Sequence, residues 1–179
     1  WVGDLKLAPV AALEGGARGG SVHGERRAPT VQLDDRPPGA KLQDAKGAGA
    51  EGGLLAAMSY TPLTEDEVFV HCETVARESG LPLCLYDNPG TTHFRFTPAL
   101  VGRLARVPGI VAIKSPAPEP GGAAEHLGAL RAVVPAGFSL GYSGDWNALA
   151  ALLAGGEAWY SVVAGLFPRP ALAIVRAVE

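Results

Sequence analysis

Cysteine is scarce in this chain. Only Cys72 and Cys84 occur in 179 residues, so no disulfide framework is implied and a reducing setting is the default. Charge of either sign is sparse and nearly balanced, with a formal net charge of −3. That removes the electrostatic reason to expect nucleic acid or an anionic membrane as partner. No apolar run approaches the roughly 20 residues that a membrane span needs, and the first residues lack the charged-then-apolar order of a secretory signal. A soluble, cytoplasmic protein is the expectation. No glycine-rich nucleotide loop follows a first strand, and the pair Gly155-Gly156 precedes a strand instead. His93 and His126 stand outside any Cys/His ligand spacing, which gives no metal signal.

What the chain does hold is apolar residue, 47% of the total, in a length that normally forms one domain with a sizeable core. From about Leu54 onward strands and helices alternate. Thr64-Glu65-Asp66-Glu67 is a capping box. The helix it opens carries Val68, Cys72, Val75 and Ala76 on one face, and Gly80 suits its left-handed stop. A strand over Leu81–Tyr86 follows, then the chain reversal Asn88-Pro89-Gly90. Thr97-Pro98 starts another helix, which Val107-Pro108-Gly109 ends before a strand from Ile110 to Lys114. A helix from Ala123 to Val134, a strand from Phe138 to Gly144, and a helix bearing Leu149, Leu152 and Leu153 come next. A strand from Ala158 to Ala164 and a helix from about Pro168 close the chain. This repetition predicts parallel β/α units, each strand covered by its own helix. Cys72 and Cys84 read as buried small hydrophobes, Trp146 and Trp159 as packing anchors, His71 as a helix-surface or interface residue, and Asp145 as a helix N-cap.

Residues 1–41 differ. Gly15-Gly16, Gly19-Gly20, Arg26-Arg27 and Pro37-Pro38 punctuate a stretch without sustained helical or strand periodicity. Regular structure is expected to resume near Lys41, with a helix bearing Leu42, Ala45 and Ala48, so that about five strands follow from Leu54.

Two strand ends concentrate the chemistry. Lys114 closes the apolar run Gly109-Ile110-Val111-Ala112-Ile113-Lys114. A desolvated lysine has a lowered pKa and becomes a nucleophile toward carbonyl carbon, although many strands simply end in a lysine that reaches solvent. Tyr86 ends Leu81-Pro82-Leu83-Cys84-Leu85-Tyr86 in the same way. Beside an imine-forming lysine a tyrosine hydroxyl can donate to a carbonyl oxygen and later take a proton back; the plainer alternative is a ring packed at the rim with its hydroxyl in water. Functional groups gathered at the carboxyl ends of successive strands favour a (β/α) barrel over an open sheet.

These segments resemble the dihydrodipicolinate synthase/N-acetylneuraminate lyase family. Leu85-Tyr86-Asp87-Asn88-Pro89-Gly90-Thr91-Thr92 is similar to that family's L-Y-N-x-P-x-x-T segment, and Gly109–Lys114 to its lysine strand. Tyr142-Ser143-Gly144-Asp145 resembles its S-G-D turn, Gly155-Gly156 through Tyr160-Ser161 its eighth strand, and Ser59-Tyr60-Thr61-Pro62 its P-Y-Y segment. The likeness covers roughly residues 42–179.

The resemblance implies an α/β fold of the (β/α)8 TIM-barrel family, here a partial barrel of about strands 4–8 over residues 42–179, behind a leader (1–41) that does not match. It implies a pyruvate-dependent class I lyase, aldolase or dehydratase that needs no cofactor. Lys114 would form the Schiff base with pyruvate or another 2-oxo acid. Tyr86 would shuttle the proton, and Tyr60 would complete a relay across a subunit interface, with Ser59 in place of one aromatic. Tyr160 and Ser161 would shape the substrate pocket, and a homo-oligomer, dimer or tetramer, would go with the full barrel. Thr91, also on the substrate side, stands where true dihydrodipicolinate synthases carry a carboxylate-gripping arginine, which argues against that substrate. Ser115 replaces the usual acid after the lysine. The family's G-T-T-G-E carboxylate loop has no counterpart in residues 1–41, and about 40 residues cannot supply three β/α units of about 30 each. An inactive remnant acting as a binding module is therefore the alternative.

Overall fold

The computed structural model describes the backbone of residues 10–13 and all of residues 37–178. In chain order the elements are β1 (Val10–Leu13), α1 (Pro38–Gly47), β2 (Gly52–Ala56), α2 (Glu65–Ser79) and β3 (Leu83–Tyr86). They continue with α3 (Pro89–Thr92), α4 (Pro98–Leu104), β4 (Ile110–Pro116), α5 (Ala123–Arg131) and β5 (Ser139–Ser143). Last come α6 (Ala148–Leu153), β6 (Ala158–Trp159) and α7 (Pro168–Val178), with short 3₁₀ turns at Pro120–Gly122 and Val163–Gly165.

All strand pairs are parallel, and the order across the sheet is the order along the chain, β1 to β6. An order that never reverses has no topological switch point, which separates this sheet from the doubly wound type. Each β/α unit steps the same way round, as in a barrel wall.

One face of the sheet is the core. Leu55, Leu83, Leu85, Ile113, Leu140 and Tyr142 are all at most 2% exposed. They pack in one cluster with Val68, Cys72 and Val75 of α2, Leu100, Val101 and Leu104 of α4, and Leu127 and Leu130 of α5. Because side chains alternate along a strand, the residues between these core positions face the other way, into the barrel.

The helix boundaries follow local chemistry. Thr64 accepts from the Glu67 N–H (3.3 Å) while the Glu67 carboxylate accepts from the Thr64 N–H (2.8 Å), completing the capping box of α2. Gly80 ends that helix at φ 61°, a conformation that costs most side chains energy. Thr97 caps α4, with Pro98 at its first position.

The five strands expected from Leu54 onward are β2 to β6, and the leader adds a sixth, Val10–Leu13, which pairs with Gly52–Leu55. Four apolar residues are too few to show a period, and only pairing with β2 reveals them. Helix α1 starts at Pro38, where proline's fixed φ suits a first turn, rather than at Lys41. Asn88-Pro89-Gly90 opens a single helical turn that His93 closes at φ 57°, not a simple reversal. The strand read over Ala158–Ala164 stops at Trp159. Beyond it Tyr160 N–H still bonds the Tyr142 carbonyl (2.8 Å), but Ser161 Oγ then accepts from the Ala164 N–H (2.9 Å) and turns the chain. Trp146, read as a packing anchor, is 84% exposed on the turn after β5.

Candidate active site

The pairing register sets out one row of residues across the barrel-facing side of the sheet. Ala56 of β2 pairs with Tyr86 of β3, Tyr86 with Lys114 of β4, Lys114 with Gly141 of β5, and Gly141 with Ala158 of β6. Residues level with one another in adjacent strands point to the same side. With alanine and glycine at its other positions, this row carries one amine and one phenol as its only large polar side chains.

Lys114 Nζ lies 4.5 Å from the centroid of the Tyr86 ring and 5.8 Å from that of Tyr160. Both aromatic faces present negative quadrupole density to the ammonium form. The Tyr86 hydroxyl accepts from Asn88 Nδ2 at 2.8 Å. With a lone pair so engaged, the hydroxyl keeps its own proton to donate. The Asp87 N–H donates to the Lys114 carbonyl at 3.0 Å, which ties the end of β3 to the end of β4. Asp87 itself is 3% exposed, and burial pushes its carboxyl up to about 6, opposed by a hydrogen bond from the Phe96 N–H and by the Arg95 charge.

Tyr160 closes the group from the other side. Its hydroxyl lies 3.3 Å from Cys84 Sγ, a residue two positions before Tyr86 on β3. The contact therefore spans from the end of β6 to β3, past β4 and β5. On a flat sheet three strand spacings amount to about 14 Å, beyond the reach of one tyrosine, so the contact itself records the curvature of a barrel wall. Burial raises the Tyr160 hydroxyl well above the usual phenol range and pushes the Cys84 thiol up to about 11. Both stay neutral near pH 7. Cys84, read from the sequence as a buried small hydrophobe, is half-buried on the barrel-facing side and holds a tyrosine.

The remaining expected residues are distributed unevenly. Ser161 is half-buried beside Tyr160, and its hydroxyl accepts from the Ala164 N–H while keeping its proton to donate. Thr91 is exposed on α3. Tyr60 is fully exposed and lines a separate cleft with Thr61, Thr92, His93 and Phe94. None of the Lys114 group borders that cleft, so within one chain Tyr60 does not join the lysine. Asp145 does not cap the helix that follows it. Its two carboxylate oxygens accept from the Trp159 indole N–H (3.1 Å) and the Val163 N–H (2.8 Å), and they pin the segment that carries Tyr160 and Ser161.

Sequence reading missed Cys84, Gly141, Asn88 and the cross-link from Asp145. Strand alternation already places Cys84 on the side of Tyr86, but the partner of Cys84 is 76 residues away and no local pattern announces it. Among the described residues no group of three or more His, Cys, Asp or Glu could hold a metal ion, and no helix is long and apolar enough to cross a membrane.

The sequence pattern of the dihydrodipicolinate synthetase family matches residues 40–179. The 4-hydroxy-tetrahydrodipicolinate synthase of Methylococcus capsulatus is 43% identical over 126 residues, 70% of this chain and 42% of that protein. The enzyme of the same name from Thiobacillus denitrificans is 38% identical over 131 residues, 73% of this chain and 43% of its own length. The crystal structure of dihydrodipicolinate synthase from Agrobacterium tumefaciens superposes with a TM-score of 0.75 at 50% identity, over 78% of this chain and 47% of that one. A prophage protein of the dihydrodipicolinic acid synthase family from E. coli K12, solved in complex with pyruvate, superposes with a TM-score of 0.70 at 26% identity, over 78% of this chain and 47% of its own. The chain thus spans under half the length of these relatives.

Proposed function

Since the chain belongs to the dihydrodipicolinate synthetase family and has the α/β partial barrel of that family, we propose that it forms a Schiff base between Lys114 and pyruvate or a related 2-oxo acid. The observation that carries this reading is the position of Lys114 at the centre of the register row, between the rings of Tyr86 and Tyr160.

The neutral Lys114 amine adds to the carbonyl carbon, and the oxygen takes one proton from Tyr86 and one from the amine and leaves as water, giving a protonated imine beside the Tyr86 phenolate. The imine draws electron density from the adjacent carbon. That carbon gives a proton to the phenolate to form an enamine, which attacks the carbonyl carbon of an aldehyde, and the new alkoxide takes the proton back from Tyr86; the reverse sequence cleaves the same bond. Water finally adds to the imine and releases the lysine. Tyr86, hydrogen-bonded to Asn88, is the donor and acceptor of the first and last proton transfers. Ser161 and the backbone at Tyr160 border the oxo acid, and Thr91 borders the acceptor. Tyr60 completes the relay from a second copy in a homo-oligomer.

The acceptor is an aldehyde without a carboxylate to be gripped at position 91, because Thr91 offers one neutral hydroxyl where a guanidinium would give a bidentate pair. The relatives' names point to the synthase reaction; the residue at 91 points away from it.

The enamine can be detected without knowing the acceptor. In D₂O the chain should wash the methyl protons out of pyruvate, seen as loss of the methyl signal by NMR. Lys114→Ala should abolish the exchange. Exchange that persists in Lys114→Ala excludes the lysine mechanism. Pyruvate binding without exchange would instead mark a binding module without catalysis.

A further inference from the structure

Strand β3 ends at Tyr86, and side chains two apart on an extended chain point the same way. Asn88 therefore returns to the barrel-facing side that Tyr86 occupies, while Asp87 between them is turned into the protein and is 3% exposed. Position 88 falls on the open letter of the L-Y-N-x-P segment, so this asparagine is the chain's own.

The main chain at Asn88 is held by three donors. Its carbonyl accepts from the Thr91 N–H (2.9 Å), the Thr92 N–H (2.9 Å) and the Thr92 hydroxyl (3.0 Å), and Thr92 is itself buried. Pro89 follows, and a proline keeps the residue before it out of the helical region; Asn88 sits at φ −145°, ψ 78°. With the backbone so fixed, the short, half-buried side chain has little freedom left. Its Oδ1 lies on the Gly90 side, 3.7 Å from where a Cβ on that glycine would stand. Its Nδ2 reaches the Tyr86 hydroxyl at 2.8 Å.

An amide N–H can only donate. While Tyr86 keeps its proton, the bond is an ordinary neutral one. Once that proton has gone to the departing oxygen, the same N–H faces a phenolate, and the bond becomes charge-assisted and roughly twice as strong. A contact that strengthens only after proton transfer stabilises the reacting states more than the bound substrate, and here it is in place beforehand.

We propose that Asn88 is a positioning residue of the imine chemistry: its side-chain amide fixes the direction of the Tyr86 hydroxyl and stabilises the phenolate left when Tyr86 gives up its proton. This rests on the lysine chemistry proposed above. Asn88 exchanges no proton of its own; the proton that moves belongs to Tyr86.

The test is a double-mutant cycle read as methyl-proton exchange of pyruvate in D₂O, with borohydride trapping on Lys114 as the check on the imine. Asn88→Ala should lower kcat for exchange about 10²-fold, the lower end of what one preorganised donor contributes. KM for pyruvate should stay within about twofold, as for an interaction made after binding. Asn88→Asp keeps the shape and the preference for a helix N-cap but puts an acceptor where the donor was. It should be no faster than Asn88→Ala, whereas a merely structural role would spare it. In a Tyr86→Phe background Asn88→Ala should change the rate by no more than about twofold, because the hydroxyl through which it acts is gone. Should Asn88→Ala lack the parent's far-UV circular dichroism, Asn88→Leu, close to asparagine in shape, takes its place in the cycle. A parent-like rate in the folded Asn88→Ala or Asn88→Asp, or equal slowing with and without the Tyr86 hydroxyl, overturns the role of Asn88 while the adduct on Lys114 still stands. A parent that gives neither exchange nor adduct overturns the lysine chemistry and this role with it.

Discussion

At the scale of residues, Lys114 and Tyr86 were legible as candidates because each follows an apolar run, where polar side chains are rare enough to stand out. Asp87 was passed over, although it replaces the asparagine of the family segment quoted above and is buried. Its carboxyl is raised from 3.8 to about 6, first by burial. A folded-state value above the unfolded one means that the native protein holds this proton more tightly. Burial of the charge therefore subtracts stability progressively as pH rises from about 4 to about 6, and the loss is complete above that. Two pH units correspond to roughly 3 kcal/mol at most. Asp87→Asn keeps an acceptor for the Phe96 N–H and removes the buried charge. It should raise the Tm at pH 7.5 by about 5–10 °C and by much less at pH 4.5, as scanning calorimetry would show. An equal change at both pH values would mean that Asp87 is not titrating. Tyr86→Phe belongs to the same scale. It should slow methyl exchange of pyruvate by about 10²- to 10⁴-fold, the usual contribution of a positioned proton donor, and a rate within threefold of the parent would remove Tyr86 from that role.

Among elements, the best-read ones are those whose ends have their own chemistry. Helix α2 is bounded by a reciprocal cap at Thr64 and Glu67 and by Gly80 in the left-handed region, and both ends were visible in four or five letters. Thr64→Ala should cost about 1 kcal/mol, which lowers Tm by roughly 2–4 °C for a chain of this size; thermal melts by circular dichroism check this, and an unchanged Tm would mean that the cap contributes nothing net. The misread elements lack such endings. Strand β1 has four apolar residues and shows itself only through its partner β2. Strand β6 was overextended because Ser161, Val162 and Val163 continue a β-favouring composition, whereas Asp145 and Ser161 take up the backbone N–H groups of Val163 and Ala164 and turn the chain. Side chains from elsewhere in the chain override local propensity there.

For the whole molecule, the alternation of strands and helices was sufficient to read the parallel wall, whose described strands run in unreversed order from β1 to β6. What local patterns could not supply was the curvature. It depends on which side chains meet across the barrel, and the meeting of Cys84 with Tyr160 joins residues far apart in sequence. The same curvature brings Lys114, Tyr86 and Tyr160 into one group, so the lysine site and the bend of the wall are one structural fact. The central claim is that this group makes an imine, and borohydride reduction in the presence of pyruvate tests it most directly, with the adduct located by peptide mass mapping. The account predicts a single reduced adduct on Lys114 that is lost when the sheet is unfolded by urea before pyruvate is added. No adduct from the folded chain, or one spread over Lys41 and Lys46 as readily as Lys114, would contradict it.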